Sequence, residues 1–488
     1  MRKRRLFVIG RPGRESVPWL ALAGIVLLAA IPRWLEALRN PLSFEEIYIV
    51  FLTRLSLPHM LTTLAHDVEQ PLPFVVLWCW RAIGGESEMW VKGSSIFFGL
   101  ATIPAVFALA RRDFGMRAGI VAAAILGANA THIFYSQYAN MGTFEWLIVC
   151  LAFVAAREWE ENPTPWRGVP LVLVLSASLF TYYFTVLPLT VLFVWGLVRG
   201  RVPRRRWAVA FLLALLAFLP ELPVLVEQLV RDVINDRTMP AMPVRDLRSA
   251  AGLIADAHGA VLLGVFALAL LPLASRRHRT EATLLWLAVA VPFAATWTLS
   301  HFGVRLFFAK QMLVALPMFV VLAGAGAASL RPRGLQALAA GAFLLMELHA
   351  WGQSRPMDEP ADLARMQAVL APQLRPDDLL LCAETHGVLD LQYHLPGRAR
   401  YRLLVVPGAP EFHYGDGILA IPDSLRITPA QWAAERARGT RWWGLQVAHF
   451  PRYRDGDEAA ALFAQQARVP ARRAGKLTLW RGGDLPIP

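Results

Sequence analysis

Charge is scarce in this chain. Lys, Arg, Asp and Glu together make 17% of its 488 residues, against 56% hydrophobic residues. A soluble protein of this length needs far more polar surface, because surface area still grows steeply with mass. That shortage excludes an ordinary soluble enzyme. Cysteine is scarcer still, with only Cys79, Cys150 and Cys382, no CxxC and no close pair. A disulfide framework and a cysteine-ligated zinc site are therefore unsupported, and the cysteines in apolar segments read as small buried hydrophobes. No P-loop, dinucleotide fingerprint or metal-ligand helix is visible. No cofactor is evident, and a divalent cation finds no ligand cluster to support it. His258 and His301 stand alone and read as polar boundary residues. Internal repeats and low-complexity tracts are missing too.

Basic residues outnumber acidic ones, 49 to 36, giving a formal charge of +13. In a soluble protein that excess would point to nucleic acid. Here the arginines sit in short clusters between apolar blocks such as Trp19–Ile31, Val169–Phe180, Trp207–Leu219 and Gly259–Ala274. Apolar blocks of this kind cross a bilayer, and basic clusters between them set orientation. Nucleic acid is not expected as a partner; the lipid bilayer is. The basic start, MRKRR, precedes an apolar run without a clean small-x-small cleavage site. It reads as an uncleaved first helix whose basic end stays in the cytoplasm.

Sidedness turns on one short segment. Leu72–Ile83 is apolar, but it falls well short of the ~20 residues that a span needs, and it reads as an interfacial helix. Kept out of the membrane, it places Arg111–Arg117, Arg199–Arg206, Arg276–Arg279 and Arg331–Arg333 all on the cytoplasmic side. Threaded through, it would put all four outside, at about 2–3 kcal/mol per basic residue on insertion scales. The spans then fall near 17–34, 91–110, 118–134, 142–157, 168–183, 185–199, 207–226, 259–275, 281–299, 311–330 and 334–351, about eleven in all. Their centres read as almost free of charge, with Glu221 and Glu227 near the outer end of one span and Glu347 in the last as exceptions. After Trp351 the pattern changes to short apolar runs alternating with helical stretches: Leu379–Cys382, Leu403–Pro407, Gly417–Ile421 and Arg441–Gln446, with helices at 358–374, 429–437 and 457–467. This predicts a small α/β domain, and an odd number of spans puts it outside. The fold class is thus a polytopic α-helical membrane protein, 1–351, with a first external loop at 35–90. A C-terminal extracytoplasmic α/β domain follows at 352–488. The expected location is the inner membrane.

The predicted outer face collects carboxylates. Glu45 and Glu46 follow the first span and lead into Ile47–Leu52, while Asp67 and Glu69 precede the interfacial helix. A carboxylate at the edge of apolar surface has a raised pKa, which suits a general base; it is also an ordinary solvated flank at many membrane boundaries. The order of motifs runs Phe44-Glu45-Glu46, then His66-Asp-Val-Glu-Gln-Pro-Leu-Pro73, then Gly84–Ser95. The Arg111–Arg117 turn, Tyr135-Ser-Gln-Tyr-Ala-Asn140 and Phe307–Pro317 complete it. This layout resembles the GT-C superfamily of polyprenyl-phosphate-sugar-dependent glycosyltransferases, which includes protein O-mannosyltransferases and lipid A aminoarabinose transferases.

The resemblance implies an inverting transfer of a sugar from a polyprenyl-phosphate donor to an acceptor hydroxyl on an envelope glycan, lipid or protein. It implies catalytic roles for Glu45 and its neighbour Glu46. It further implies that His66, Asp67, Glu69, Tyr135, Ser136 and Gln137 line the substrate site, with Lys310, which stands where the family usually has arginine, and Arg305 on the lipid phosphate. Lys92 is a further candidate cation. Arg305 and Lys310 fit equally as snorkelling anchors for lipid headgroups. Three departures stand out. Glu45 replaces an aspartate, Gln70-Pro-Leu-Pro73 replaces His-Pro-Pro-Leu, and Asn140 replaces an arginine, removing a bidentate phosphate partner. A transporter or flippase for a lipid-linked saccharide, a scaffolding protein acting through the external tail, and a divergent member without activity are the competing readings.

Overall fold

The computed structural model describes residues 17–67, 69–139, 142–230, 244–302, 309–353, 367–407, 423–447, 457–467, 469–474 and 477–482. The chain divides into two compact units. One comprises Met1–Leu38, Gln70–Val76 and Met89–Ser354; the other comprises Arg39–Glu69, Leu77–Glu88 and Arg355–Pro488. Helices α1 (Val17–Arg39), α2 (Phe44–Arg54), α3 (Leu57–Ala65), α4 (Pro71–Gly84) and α5 (Glu88–Phe114) open the chain. They are followed by α6 (Met116–Ala128), α7 (Ala130–Gln137), α8 (Gly142–Glu161), α9 (Val169–Leu179), α10 (Val186–Arg199), α11 (Arg204–Phe218) and α12 (Leu222–Val230). Then come α13 (Val244–Ala255), α14 (Gly259–Ala274), α15 (Arg279–His301), α16 (Leu316–Ser329) and α17 (Arg333–Gln353).

Within the described residues, five helices are long and apolar enough to span a bilayer, or seven when each of two bent pairs is one span. A multi-pass membrane protein therefore stands, while the count of about eleven does not follow from helix length alone. The expected spans at 168–183 and 185–199 fall on apolar helices of only 10–17 residues, Pro165–Leu179 and Tyr183–Arg199, and the one at 334–351 falls on α17, whose apolar stretch is Arg333–Met346. The one expected at 142–157 is α8, whose second half carries Arg157, Glu158, Glu160 and Glu161. Leu72–Ile83 folds as α4, of 14 residues.

In the first unit α16 lies at the centre. Its span, Lys310–Ser329, has 89% of its apolar window buried, against 17% for Arg204–Gln228, whose leucines are left facing outward. Small residues permit the centre to close up. A Cβ on Gly324 would lie 2.7 Å from the backbone of Ala122 on α6, so only glycine lets the two backbones approach this closely. At one end, Arg112 pairs with Glu158 and Glu161 at 3.2 and 3.1 Å. Arg157 bridges Asp113 at 2.9 Å and Glu281 at 3.3 Å, His278 bonds the Asp113 carbonyl at 3.0 Å, and Arg206 donates to the Pro163 carbonyl at 3.0 Å. These bonds gather the Arg111–Arg117, Arg199–Arg206 and Arg276–Arg279 clusters at one end of the unit, as the alternation of apolar blocks and basic loops led one to expect.

A charge lies enclosed toward the end of α1. This helix continues to Arg39, five residues past the expected end, and encloses Arg33 completely. The reason lies opposite, where α6 and α7 meet at a 57° bend. A break inside a bilayer orphans carbonyls and N–H groups that no water can reach. The Arg33 guanidinium has five N–H donors, and each finds an acceptor. Nε donates to Ser136 Oγ at 3.1 Å, Nη1 to the Ala29 and Gly127 carbonyls at 2.6 and 2.9 Å, and Nη2 to the Leu126 carbonyl at 3.4 Å and His132 Nδ1 at 2.6 Å. On the far side of the bend, Asn129 Oδ1 accepts from the His132 N–H at 2.8 Å and Asp256 Oδ2 from the Thr131 N–H at 2.9 Å. Asp256 sits at φ +45°, in the left-handed region, at the elbow between α13 and α14, itself bent by 68°. Aspartate visits that region more readily than most residues.

The C-terminal part of the second unit is the small α/β domain expected from the sequence. Strands β1 (Leu379–Cys382), β2 (Arg400–Leu404), β3 (Arg426–Ile427), β4 (Trp442–Val447), β5 (Val469–Ala474) and β6 (Leu477–Gly482) form one sheet in the order β3-β2-β1-β4-β6-β5. The first four run parallel and the last two join antiparallel. Every residue of β1 is buried, as a central parallel strand demands. The stretches expected at 429–437 and 457–467 are α19 (Pro429–Ala437) and α20 (Asp457–Gln466), preceded by α18 (Thr385–His394). The run Gly417–Ile421 and most of 358–374 lie outside the described residues. Trp432, Trp442, Phe463 and Trp480 form the core of one face. A Cβ on Gly444 would reach within 2.6 Å of the Phe463 ring, so a glycine there leaves room for that ring.

Two outcomes follow. Arg33→Met should cost about 3–5 kcal/mol, the scale for removing one partner of a buried charged network, and should abolish monodisperse protein in size-exclusion chromatography. Arg33→Lys, with three donors in place of five, should fall between. In the sheet domain, burial lowers the pKa of His394, so the folded state binds fewer protons than the unfolded one below about pH 6.5. Its neutral form favours folding at pH 7, and that advantage is lost as the pH falls from about 6.5 toward the folded value. Hydrogen exchange at β1 amides should show a wild-type loss of protection between pH 7 and 5 that His394→Asn reduces.

Candidate functional site

In the second unit, the N-terminus of α2 separates the acidic pair. Glu46 is 1% exposed and accepts from both the Ser43 N–H and the Ser43 hydroxyl at 2.8 Å. This is the glutamate of a helix-start capping arrangement, which the Ser-x-x-Glu spacing of Ser43 and Glu46 encodes. Glu45, one residue earlier, is exposed, and its carboxylate in the first turn benefits from the positive end of the helix dipole. The two glutamates expected to share catalysis therefore have different surroundings: one holds the helix start, the other faces outward.

Asp67 is also buried, and Tyr48 Oη donates to it at 2.5 Å, tying the segment after α3 back to α2. Phe44 stacks on Tyr48 with centroids 6.5 Å apart, which keeps the tyrosine hydroxyl aimed at the aspartate. His66 caps the C-terminus of α3 and is exposed, as is Glu69. The exposed members of this acidic group are thus Glu45, His66 and Glu69.

In the first unit, Tyr135, Ser136 and Gln137 form the last turn of α7. Tyr135 packs edge-on to Trp146 at 5.6 Å. Ser136 is fully buried, accepts from Arg33 and donates to the His132 carbonyl at 2.6 Å. Its hydroxyl is committed to the helix break. Gln137 is 8% exposed. Lys310 lies exposed in a 3-10 turn, Ala309–Ala315, leading into α16. The carboxylate of Glu145 on α8 couples to it electrostatically, and Glu145 Oε1 is buried with no hydrogen-bond partner among the described residues. Lys92 is buried in α5. A second polar group joins Tyr183, whose hydroxyl donates to Gln228 Oε1 at 3.0 Å and also bonds Gln70. The Leu72 N–H donates to the Phe180 carbonyl at 3.1 Å, anchoring the start of α4. Arg305 and Asn140 lie outside the described residues. Among those described, no three His, Cys, Asp or Glu side chains converge as metal ligands would.

Sequence reasoning missed Arg33, His132, Glu145 and Asp256. A usable signal existed for the first: an arginine inside an apolar run, Ala30-Ile-Pro-Arg-Trp34, is a functional or structural site by default in a membrane helix. Glu145 is marked in the same way, by its place four residues into α8.

Glu46→Ala should destabilise α2 by about 1 kcal/mol, the usual value of a helix-start cap, seen as faster hydrogen exchange across 44–54. Glu46→Gln should preserve protection, since glutamine also closes a capping box. Equal loss in both variants would refute the capping role.

No family model and no curated protein matches the chain. Solved structures do. ArnT from Cupriavidus metallidurans bound to undecaprenyl phosphate aligns with a TM-score of 0.65 at 14% identity, covering 97% of this chain and 100% of that one. The same protein in the apo state gives 0.60 at 15% identity, covering 96% and 100%. Archaeal oligosaccharyltransferase AglB from Archaeoglobus fulgidus, in complex with an inhibitory peptide and a dolichol-phosphate, gives 0.54 at 10% identity, covering 98% and 76%. Both proteins are members of the GT-C superfamily. The resemblance read from the motif layout holds for the fold.

Proposed function

We propose that this chain, which has the fold of the GT-C glycosyltransferases, moves a sugar from a polyprenyl-phosphate donor to an acceptor hydroxyl at the outer face of the inner membrane. One observation carries the reading: the alignment with ArnT bound to undecaprenyl phosphate runs the full length of that protein. The acceptor class is an envelope glycan, a lipid or a protein hydroxyl.

The chemistry asks little of the protein beyond placement and charge. A phosphate is a good leaving group, so the acceptor oxygen must be held in line with the anomeric carbon and relieved of its proton. In this scheme Glu45 takes the proton as the new carbon–oxygen bond forms and the carbon–phosphate-oxygen bond breaks. A cation must meet the charge that builds on the departing phosphate, the role that the resemblance implies for Lys310 and Arg305. A single displacement inverts the sugar carbon. Glu45 suits this role because it is exposed, whereas Glu46 is held by the backbone it caps.

With the arginine clusters at the cytoplasmic end, the C-terminal domain lies outside, and a reporter fused after Trp351 reads external.

Glu45→Gln should lower sugar transfer by about 10²–10⁴-fold, the range for losing a general base. The assay is reconstituted protein with a polyprenyl-phosphate sugar, and the variant should stay monodisperse. Full activity in that variant would remove Glu45 from the reaction.

A further inference from the structure

The second unit contains a cavity of about 370 Å³ whose walls include Phe51 and Arg54 of α2, Gln392, and Arg400, Tyr401 and Arg402 of β2. Three of its lining residues are arginines and none is a carboxylate. The strand explains the crowding. Residues two apart on a strand share a face about 7 Å apart, so Arg400 and Arg402 stand side by side while Tyr401 turns inward, following the burial pattern of β2. Tyr401 Oη donates to the Leu395 carbonyl, which folds the intervening turn around the cavity mouth.

Two of the three charges are answered nearby. Arg54 pairs with Glu86 at 2.5 Å, and Arg400 pairs with Glu435 at 3.0 Å. Arg402 has no carboxylate partner among the described residues; its one hydrogen bond is from Nη1 to the Tyr401 carbonyl at 2.7 Å. It is only half exposed. Burial and the neighbouring Arg400 lower its pKa below the ordinary guanidinium value, against a smaller opposing pull from Glu435, which is itself paired with Arg400. A half-buried cation next to a like charge is costly unless an anion completes the site.

We infer that this cavity binds a phosphate-bearing group, with Arg402 as its principal contact and Gln392 and Arg400 beside it. Arginine presents a planar fork that matches phosphate oxygens, which lysine does not reproduce. The volume admits a phosphate monoester or a lipid headgroup, not a folded partner. The site is distinct from the residues proposed for transfer. Arg54 follows Glu45 by nine residues on α2, about 13 Å along the axis at 1.5 Å per residue. The inference therefore stands or falls separately from the transfer reaction.

The test uses the full chain in nanodiscs of zwitterionic phosphatidylcholine, titrated calorimetrically with inorganic phosphate and with glycerol 3-phosphate at constant ionic strength. One equivalent should bind saturably. Arg402→Gln should weaken binding at least tenfold, and Arg402→Lys should weaken it less. Gln392→Glu, which adds a carboxylate to the cavity without removing an arginine, should also weaken it, and it serves if Arg402→Gln does not fold. In nanodiscs containing phosphatidylglycerol, loss of the calorimetric signal identifies a lipid headgroup as the occupant; an unchanged signal identifies a soluble phosphate ester. No saturable binding in the wild type, or equal binding in wild type, Arg402→Gln and Gln392→Glu, overturns the inference.

Discussion

The first unit depends on a break that a bilayer ought not to tolerate. Where α6 gives way to α7, the Gly127 carbonyl and the N–H groups of Thr131 and His132 lose their helical partners, and the Leu126 carbonyl keeps a 3.3 Å bond from the Asn129 N–H. Each such group left unpaired in hydrocarbon costs several kcal/mol. The protein answers from outside the broken helix on one side and from both outside and within on the other. Arg33 covers the carbonyl end, and Asn129 and Asp256 cover the amide end. These are also the electrostatic signs that each helix terminus favours, a cation at the C-terminus and an anion at the N-terminus. The same bonds fix α1, α7 and the α13–α14 elbow to one point. Because Ser136 takes part directly, the orientation of the α7 turn that carries Tyr135 and Gln137 is set by this lock.

The sequence made some of this legible and hid the rest for identifiable reasons. Apolar blocks and arginine clusters gave the membrane class and brought three basic loops to one end, because hydropathy acts on whole segments. Helix α19 was located to the residue, since Thr428 and Pro429 write a helix start into the chain. The β5–β6 hairpin was missed because Val-Pro-Ala-Arg-Arg-Ala carries almost no strand pattern; pairing with β6 and β4 supplies it. Helix α18 was missed because its buried residues Val388, Leu389 and Leu391 pass for a strand-like run. The span count does not follow from helix length where prolines and polar turns shorten apolar helices, as at Tyr183 and Pro165, which composition over a window cannot see.

The candidate residues divide along the same line between local and long-range information. Glu45 and Glu46 look equivalent in a string of letters. Only the capping geometry shows that one of them is spent on the helix start. Ser136 reads as polar and external but is fully enclosed, because the arginine that needs it lies 103 residues away. Asp67 is likewise claimed by Tyr48, 19 residues earlier. Motif layout singled out these segments, and burial distinguishes the residues within them.

Lys310 illustrates what low identity does to a shared fold. The resemblance to GT-C enzymes puts an arginine where this chain has lysine, and lysine offers a point charge in place of a fork. Glu145, on α8, has a carboxyl oxygen that is buried with no hydrogen-bond partner among the described residues, which is costly by itself. The exchange of arginine for lysine lets the chemistry of a site drift while the helices that frame it, held by backbone satisfaction and close small-residue packing, stay recognisable.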